Sequence, residues 1–98
     1  MIFEHAVINV APGKEDEFEE AFPSAREVME KSPGCLSVRL FRCVELPERF
    51  LLFVEWENVE AHMEGFRKSD AFARWREIVG PYFAYLSDME HFRPVAEG

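Results

Sequence analysis

At 98 residues the chain has the size of one domain with one hydrophobic core, and its 48% hydrophobic content, including ten Phe, supplies ample apolar surface to bury. Nineteen acidic residues against eleven basic ones give a formal charge of −8, a field that repels phosphate backbones and anionic lipid and so excludes nucleic acid and membrane surfaces as partners. No apolar run approaches the roughly 20 residues that span a bilayer, and Met1-Ile2-Phe3-Glu4-His5 carries no basic leader, so a cytoplasmic protein is expected.

Residues 2–11 alternate, with Ile2, Ala6, Ile8 and Val10 on one face and Phe3, His5, Val7 and Asn9 on the other. Period two over that length predicts a strand, which Pro12-Gly13 ends. From Lys14 to Lys31 the apolar residues Phe18, Ala21, Phe22, Ala25, Val28 and Met29 recur at helical spacing, and Glu15, Asp16 and Glu17 suit the first turn. Pro23 predicts a kink or short break over residues 19–22.

Pro33-Gly34 stops the helix, and a second strand is expected over Cys35 to Glu45. Eight residues of strand span roughly 26 Å, whereas a disulfide needs Cα atoms within about 7 Å. Cys35 and Cys43 therefore cannot bridge within it and read as small apolar residues. Phe50 to Trp56 follows as a strand apolar on both faces, hence central, and antiparallel to its predecessor.

Two short helices come next, Val59 to Lys68 and Asp70 to Val79, opened by Asn58 and Ser69. Tyr82 to Leu86 reads as an aromatic connector and Met89 to Val95 as a last strand, with Pro94 marking an edge or strand end. Only the tail, Ala96-Glu97-Gly98, is expected to be disordered.

The order β-α-β-β-α-α-β predicts an α+β, ferredoxin-like βαββαβ fold in a single domain over residues 1–98, its second helix split in two. Helices would cover one face of a four-stranded antiparallel sheet. The other face would carry Phe3, Val7 and Phe41 beside His5, Arg39 and His91, a mixture poorly suited to open water. Pairing two such faces would make a homodimer enclosing a barrel-like cavity.

Several segments in this order resemble the antibiotic biosynthesis monooxygenase (ABM) family of dimeric α+β barrels. They are Val10-Ala11-Pro12-Gly13, Glu17-Phe18-Glu19-Glu20-Ala21-Phe22, Ser32-Pro33-Gly34-Cys35-Leu36, Phe53-Val54-Glu55-Trp56-Glu57, Ala61-His62, Phe66-Arg67-Lys68-Ser69-Asp70-Ala71-Phe72 and Glu90-His91. The resemblance implies an oxidoreductase that needs no metal or flavin, in which a small aromatic or quinol-type substrate loses a proton and its anion reacts with dioxygen. Trp56 stands where such enzymes place a pocket tryptophan. A haem-degrading branch uses an asparagine, a tryptophan and a histidine where this chain has Ala6, Phe66 and Arg76, so that chemistry is not expected.

Within this reading His62 or His91 would relay the proton, Arg39 would offset developing negative charge, and Trp56, Phe66, Trp75 and His5 would line the site. Each has a plainer alternative. His62 could be a buried residue bonded to a carbonyl, while His91 and His5 could serve in cross-strand pairs. Trp75 fits a helix core face, and Arg39 could pair with Glu55 or Glu4. No CxxC or HxxxH spacing points to a metal, and no glycine-rich loop points to a nucleotide cofactor. A non-catalytic ligand-binding or stress-associated dimer and a cofactor-free isomerase are the rival functions.

Overall fold

The computed structural model describes residues 1–96, without the side chains of Leu86, Ser87 and Asp88. The expectation for Glu97 and Gly98 lies outside the described residues. Four strands, β1 (Ile2–Val10), β2 (Cys35–Arg42), β3 (Arg49–Trp56) and β4 (Phe83–Phe92), form one antiparallel sheet in the order β2-β3-β1-β4. Helices α1 (Glu15–Glu30) and α2 (Asp70–Val79) cover one face. This is the expected ferredoxin-like α+β arrangement, with β3 inside the sheet and β4 at its edge.

Alternation decides which side chains reach the helices. Ile8 and Val10 of β1, Val38 of β2 and Phe50, Leu52, Val54 and Trp56 of β3 are buried against Phe18, Phe22, Ala25 and Met29 of α1 and Trp75 and Val79 of α2. The Phe18 ring meets Phe50 edge-on at 4.9 Å. The opposite face carries a row of rings that crosses all four strands: Phe41 against Phe53 at 6.4 Å, Phe53 against His5 at 4.9 Å, and His5 against Phe92 at 4.6 Å.

Three local expectations are corrected. Helix α1 runs unbroken through Pro23. Pro23 and Glu19, whose carbonyl loses its usual donor, both lie on the exposed side, where water can replace the missing bond. Residues 83–86, expected as a connector, belong to β4, which begins six residues earlier than predicted and ends at Phe92. Its pairing with β1 slips between Ala6 and Ile8 and again between Asn9 and Val10. Such slips break the period-two signal from which a strand is read.

The helix expected over residues 59–68 is not uniform. Asn58 accepts a hydrogen bond from the Ala61 amide through its side chain (2.8 Å), as an N-cap does. The chain then widens into a π-helical turn, Ala61–Gly65, where the Phe66 amide bonds to the Ala61 carbonyl, and tightens into a 3₁₀ turn at Phe66–Lys68. This irregular segment holds His62.

A buried Glu-His-His chain beside a small cavity

Glu4 is the residue around which the site is built. It falls in the inward phase of β1 beside Ile8 and is 4% exposed. Trp56 ends β3 in the adjacent strand, and its Nε1–H donates to Glu4 Oε1 at 3.0 Å. His62 reaches the same oxygen from the helical layer, with Nε2 3.3 Å from Oε1. On its other side, His62 Nδ1 lies 2.8 Å from Nε2 of His91, which pairs across the sheet with Glu4. Among the described residues no hydrogen bond engages the second carboxylate oxygen, Oε2.

The turn geometry and the aromatic packing hold His62 in place. Its ring stacks on Trp56 with centroids 5.0 Å apart and planes 16° apart, and Phe66 sits against both. Gly34, just before β2, allows Ala61 to approach. Its φ of +85° and the 2.6 Å that would separate an added Cβ from Ala61 Cβ leave room only for glycine.

Burial governs the protonation states. Desolvation pushes Glu4 up from 4.5 to about 7, against the Trp56 hydrogen bond and the Arg67 charge that favour its anion. Desolvation, then His91 and Arg67, push His62 down to about 4, and desolvation also lowers His91. Near neutral pH both imidazoles are therefore uncharged, and the 3.3 Å Glu4–His62 contact is not an ion pair. The bonds of the chain can run in two directions. With Glu4 ionised, His91 Nε2–H donates to His62 Nδ1, and His62 Nε2–H donates to Oε1. With a proton on Oε1, both bonds reverse: Glu4 donates to His62 Nε2, and His62 Nδ1–H donates to His91 Nε2. One proton arriving at the partly exposed His91 converts the first arrangement into the second.

A cavity of about 100 Å³ adjoins this chain between the sheet and the helices. Glu4 and His62 line it together with Leu52, Phe66, Phe72 and Trp75, and Arg67 contributes the cation. The cavity thus gathers His62, Phe66 and Trp75 of the sequence-predicted site. Trp56 stands behind Glu4 and His62 as their support, off the cavity wall. His91 lies on the helix-covered side of the sheet, not on the open face where the sequence placed it, because its partner in the register is Glu4.

His5 and Arg39 are not brought to this site. His5 stacks among the rings of the open face. Arg39 is exposed there, with its guanidinium 4.9 Å over Phe41, and Glu4 cannot pair with it through the sheet. The cation beside the cavity is Arg67 instead. Glu4 itself was missed, although a carboxylate in the apolar phase of a strand is a readable signal. Cys35 and Cys43 are free, and burial and nearby carboxylates raise Cys35 to about 11, away from thiolate chemistry. Among the described residues no group of three or more His, Cys, Asp or Glu is placed to hold a metal ion, and no helix is long and apolar enough to cross a membrane.

Comparison with known proteins places this architecture. A protein from Bordetella bronchiseptica provisionally named an antibiotic biosynthesis monooxygenase has a solved structure that superposes with a TM-score of 0.93 at 41% identity, covering 97% of each chain. A similarly named protein from Nitrosomonas europaea shares the fold at 18% identity, with a TM-score of 0.80 over 98% of this chain and 100% of its own. The uncharacterized protein YczJ of Bacillus subtilis is 35% identical over 95 residues, 97% of this chain and all of its own. The antibiotic biosynthesis monooxygenase family model matches residues 1–78, from β1 nearly to the end of α2. The chain belongs to the antibiotic biosynthesis monooxygenase family.

Proposed function

We propose that this protein is a cofactor-independent monooxygenase acting on a small quinol-type or otherwise enolisable ring in the cavity between sheet and helices. The observation that carries this reading is the buried carboxylate on the cavity wall, linked through the uncharged imidazole of His62 to the partly exposed His91. Glu4 takes a proton from the substrate, and Arg67 offsets the charge of the resulting enolate-like anion. The anion and dioxygen form a carbon–oxygen bond. The peroxide accepts the proton back from Glu4; loss of the second proton from carbon and cleavage of the O–O bond then release water. The balance is one methylene plus O₂ giving one carbonyl plus H₂O. The cycle leaves Glu4 ionised as it began; the His62–His91 chain brings a resting, protonated Glu4 into that form by carrying its proton to the partly exposed His91.

Cavity size narrows the substrate. At about 100 Å³ it is about a third smaller than the ~150 Å³ cavity known to take up benzene, so a single ring is the upper limit of size and needs the walls to yield. Polycyclic anthrones would require Phe72 and Arg67 to move outward. The family and the ring-rich open face together favour a homodimer in which His5, Arg39 and Phe53 meet a second copy, away from the chemistry.

Oxygen consumption with monocyclic hydroquinones and cyclic 1,3-diketones tests the reading. Wild-type turnover should fall by about 10²–10⁴-fold in Glu4→Gln and in His62→Ala. Full activity in both variants would remove these assignments. Substrate conversion under strictly anaerobic conditions would instead mark an enolising isomerase.

A further inference from the structure

Glu4 has one oxygen to spare. Oε1 takes the Trp56 bond and the His62 contact, while Oε2 accepts no hydrogen bond among the described residues. Nor is Oε2 sealed in: the one closed, unbonded side-chain nitrogen or oxygen among those residues is the Trp75 indole nitrogen. Glu4 is only 4% exposed, and the cavity is the opening that it lines. Arg67 is the single cation among the lining residues. Its guanidinium lies 4.8 Å over the ring of Phe72, another wall, and has no ion-pair or hydrogen-bond partner among the described residues. Stacking of this kind leaves the in-plane N–H donors free. The Arg67 charge is felt at both Glu4 and His62. The other titratable groups around Glu4 are neutral near pH 7: His62 on the turn, His91 on β4 and Cys35 on β2. From α1 and α2 only Met29, Phe72 and Trp75 line the cavity.

An anion entering here cannot sit beside a buried carboxylate that keeps its own charge. With a proton on Oε2, Glu4 becomes a donor, Oε1 keeps both its contacts, and the wall carries the net charge of Arg67. We propose that the cavity is an anion site: a small-ring monoanion, such as an ionised acidic enol, is held between Arg67 and the carboxyl O–H of Glu4, with one proton taken up on binding. The ligand enters as its neutral acid and passes that proton to Oε2. The inference rests on the reading of this cavity as the substrate site and names the charge of its guest. The complex has the composition that proton abstraction reaches from a neutral substrate and ionised Glu4. Acidic enols such as cyclic 1,3-diketones should therefore be favoured over weakly acidic hydroquinones, and inert anions of like size should inhibit.

Tetrazole and 1,2,4-triazole are planar five-membered rings of nearly one shape; near neutral pH the first is an anion and the second is neutral. Calorimetry on the full chain at pH 6.5 should show tetrazole binding at least about tenfold tighter. Above about pH 7, where free Glu4 loses its proton, that affinity should fall about tenfold per pH unit, with close to one proton taken up per ligand at pH 8.5. Arg67→Gln, at an exposed position, should bring the two probes to near-equal affinity. Glu4→Gln, whose amide also donates, should keep the preference and lose both the pH dependence and the proton uptake. The wild-type measurements stand without either variant. No tetrazole binding, equal affinity for the two probes, a pH-independent tetrazole affinity in the wild type, or proton uptake that survives in Glu4→Gln would overturn the proposal. Any of these alongside intact oxygen uptake defeats this inference alone. Anion preference with proton uptake but no oxygen consumption defeats only the oxygenase reading.

Discussion

The two faces of the sheet are built from the same strands and hold nearly opposite chemistry. On the helix-covered face, ionisable residues sit among apolar ones and are satisfied in a single chain, Trp56–Glu4–His62–His91. On the open face His5, Arg39, Glu55 and Glu90 are interleaved with Phe3, Phe41, Phe53 and Phe92, and their contacts are mainly ring on ring or cation on ring. A polar group between two layers must find a partner or lose its charge, so the covered face tunes protonation states. The open face leaves its polar groups in reach of water and is suited to meeting another surface. The difference separates chemistry from assembly within one strand: in β1, Glu4 and His5 are neighbours in sequence and point to opposite fates.

The largest expected stability effect tests the covered face as the core. Phe18→Ala should lower stability by about 3–5 kcal/mol in urea unfolding, whereas Phe41→Ala on the open face should lower that of the isolated monomer by less than about 1 kcal/mol. Comparable losses would erase the distinction.

The pH dependence of stability sharpens it further. Glu4, raised from 4.5 to about 7, binds more protons in the folded state across that window, so its contribution falls as pH rises from 4.5 to 7. His62, lowered from 6.5 to about 4, binds fewer, so its contribution rises as pH goes from 4 to 6.5. Each slope is about 1.4 kcal/mol per pH unit at most, and the two oppose each other between 4.5 and 6.5. In Glu4→Gln the cancellation should disappear. Unfolding midpoints should then climb with pH through this range and exceed those of the wild type above pH 7, where the buried charge of Glu4 is gone. A variant profile parallel to the wild type's would argue against a buried, coupled carboxylate.

Smaller effects address the supporting geometry. Gly34→Ala combines an unfavourable φ with contact on Ala61, and should cost about 1–2 kcal/mol in thermal unfolding and reduce turnover by displacing His62. An unchanged Tm would mean that the turn adapts freely. The smallest effect on chemistry is expected from the open face. Arg39→Ala and Phe53→Glu should leave oxygen uptake per folded subunit within about twofold, while, on the proposed homodimer, Phe53→Glu should shift the mass in light scattering from dimer to monomer. A large loss of activity in Arg39→Ala would return that residue to the reacting centre.

Much of this architecture was legible in the residues. Alternation in β1, the apolar run of β3 and helical spacing in α1 gave the topology, because burial on one side or on both imposes those patterns. The two histidines that meet, His62 and His91, were both singled out. Their meeting was not readable, since it depends on a strand register with two slips and on a π-helical turn that no periodicity announces. Arg39 and His5 were drawn to the same site by the idea that a cavity lies between paired sheets; β1 alternation divides His5 from Glu4 and from the cavity that Glu4 and His62 line within the subunit. The one signal available and overlooked was Glu4 itself, a charge in phase with Ile2, Ala6, Ile8 and Val10.

The two oxygens of that carboxylate have separate duties. Oε1 receives the indole and the imidazole, and when Oε2 takes a proton, Oε1 becomes a carbonyl that still accepts from both. The net charge of the site can therefore change by one unit with no ring turning and no loop shifting. In a transition state, where environmental rearrangement adds to the barrier, an acid–base centre of this kind meets its new charge with dipoles already in position. Rigidity around His62 and Trp56 then becomes a kinetic property: loosening either ring would slow the proton step even with Glu4 untouched.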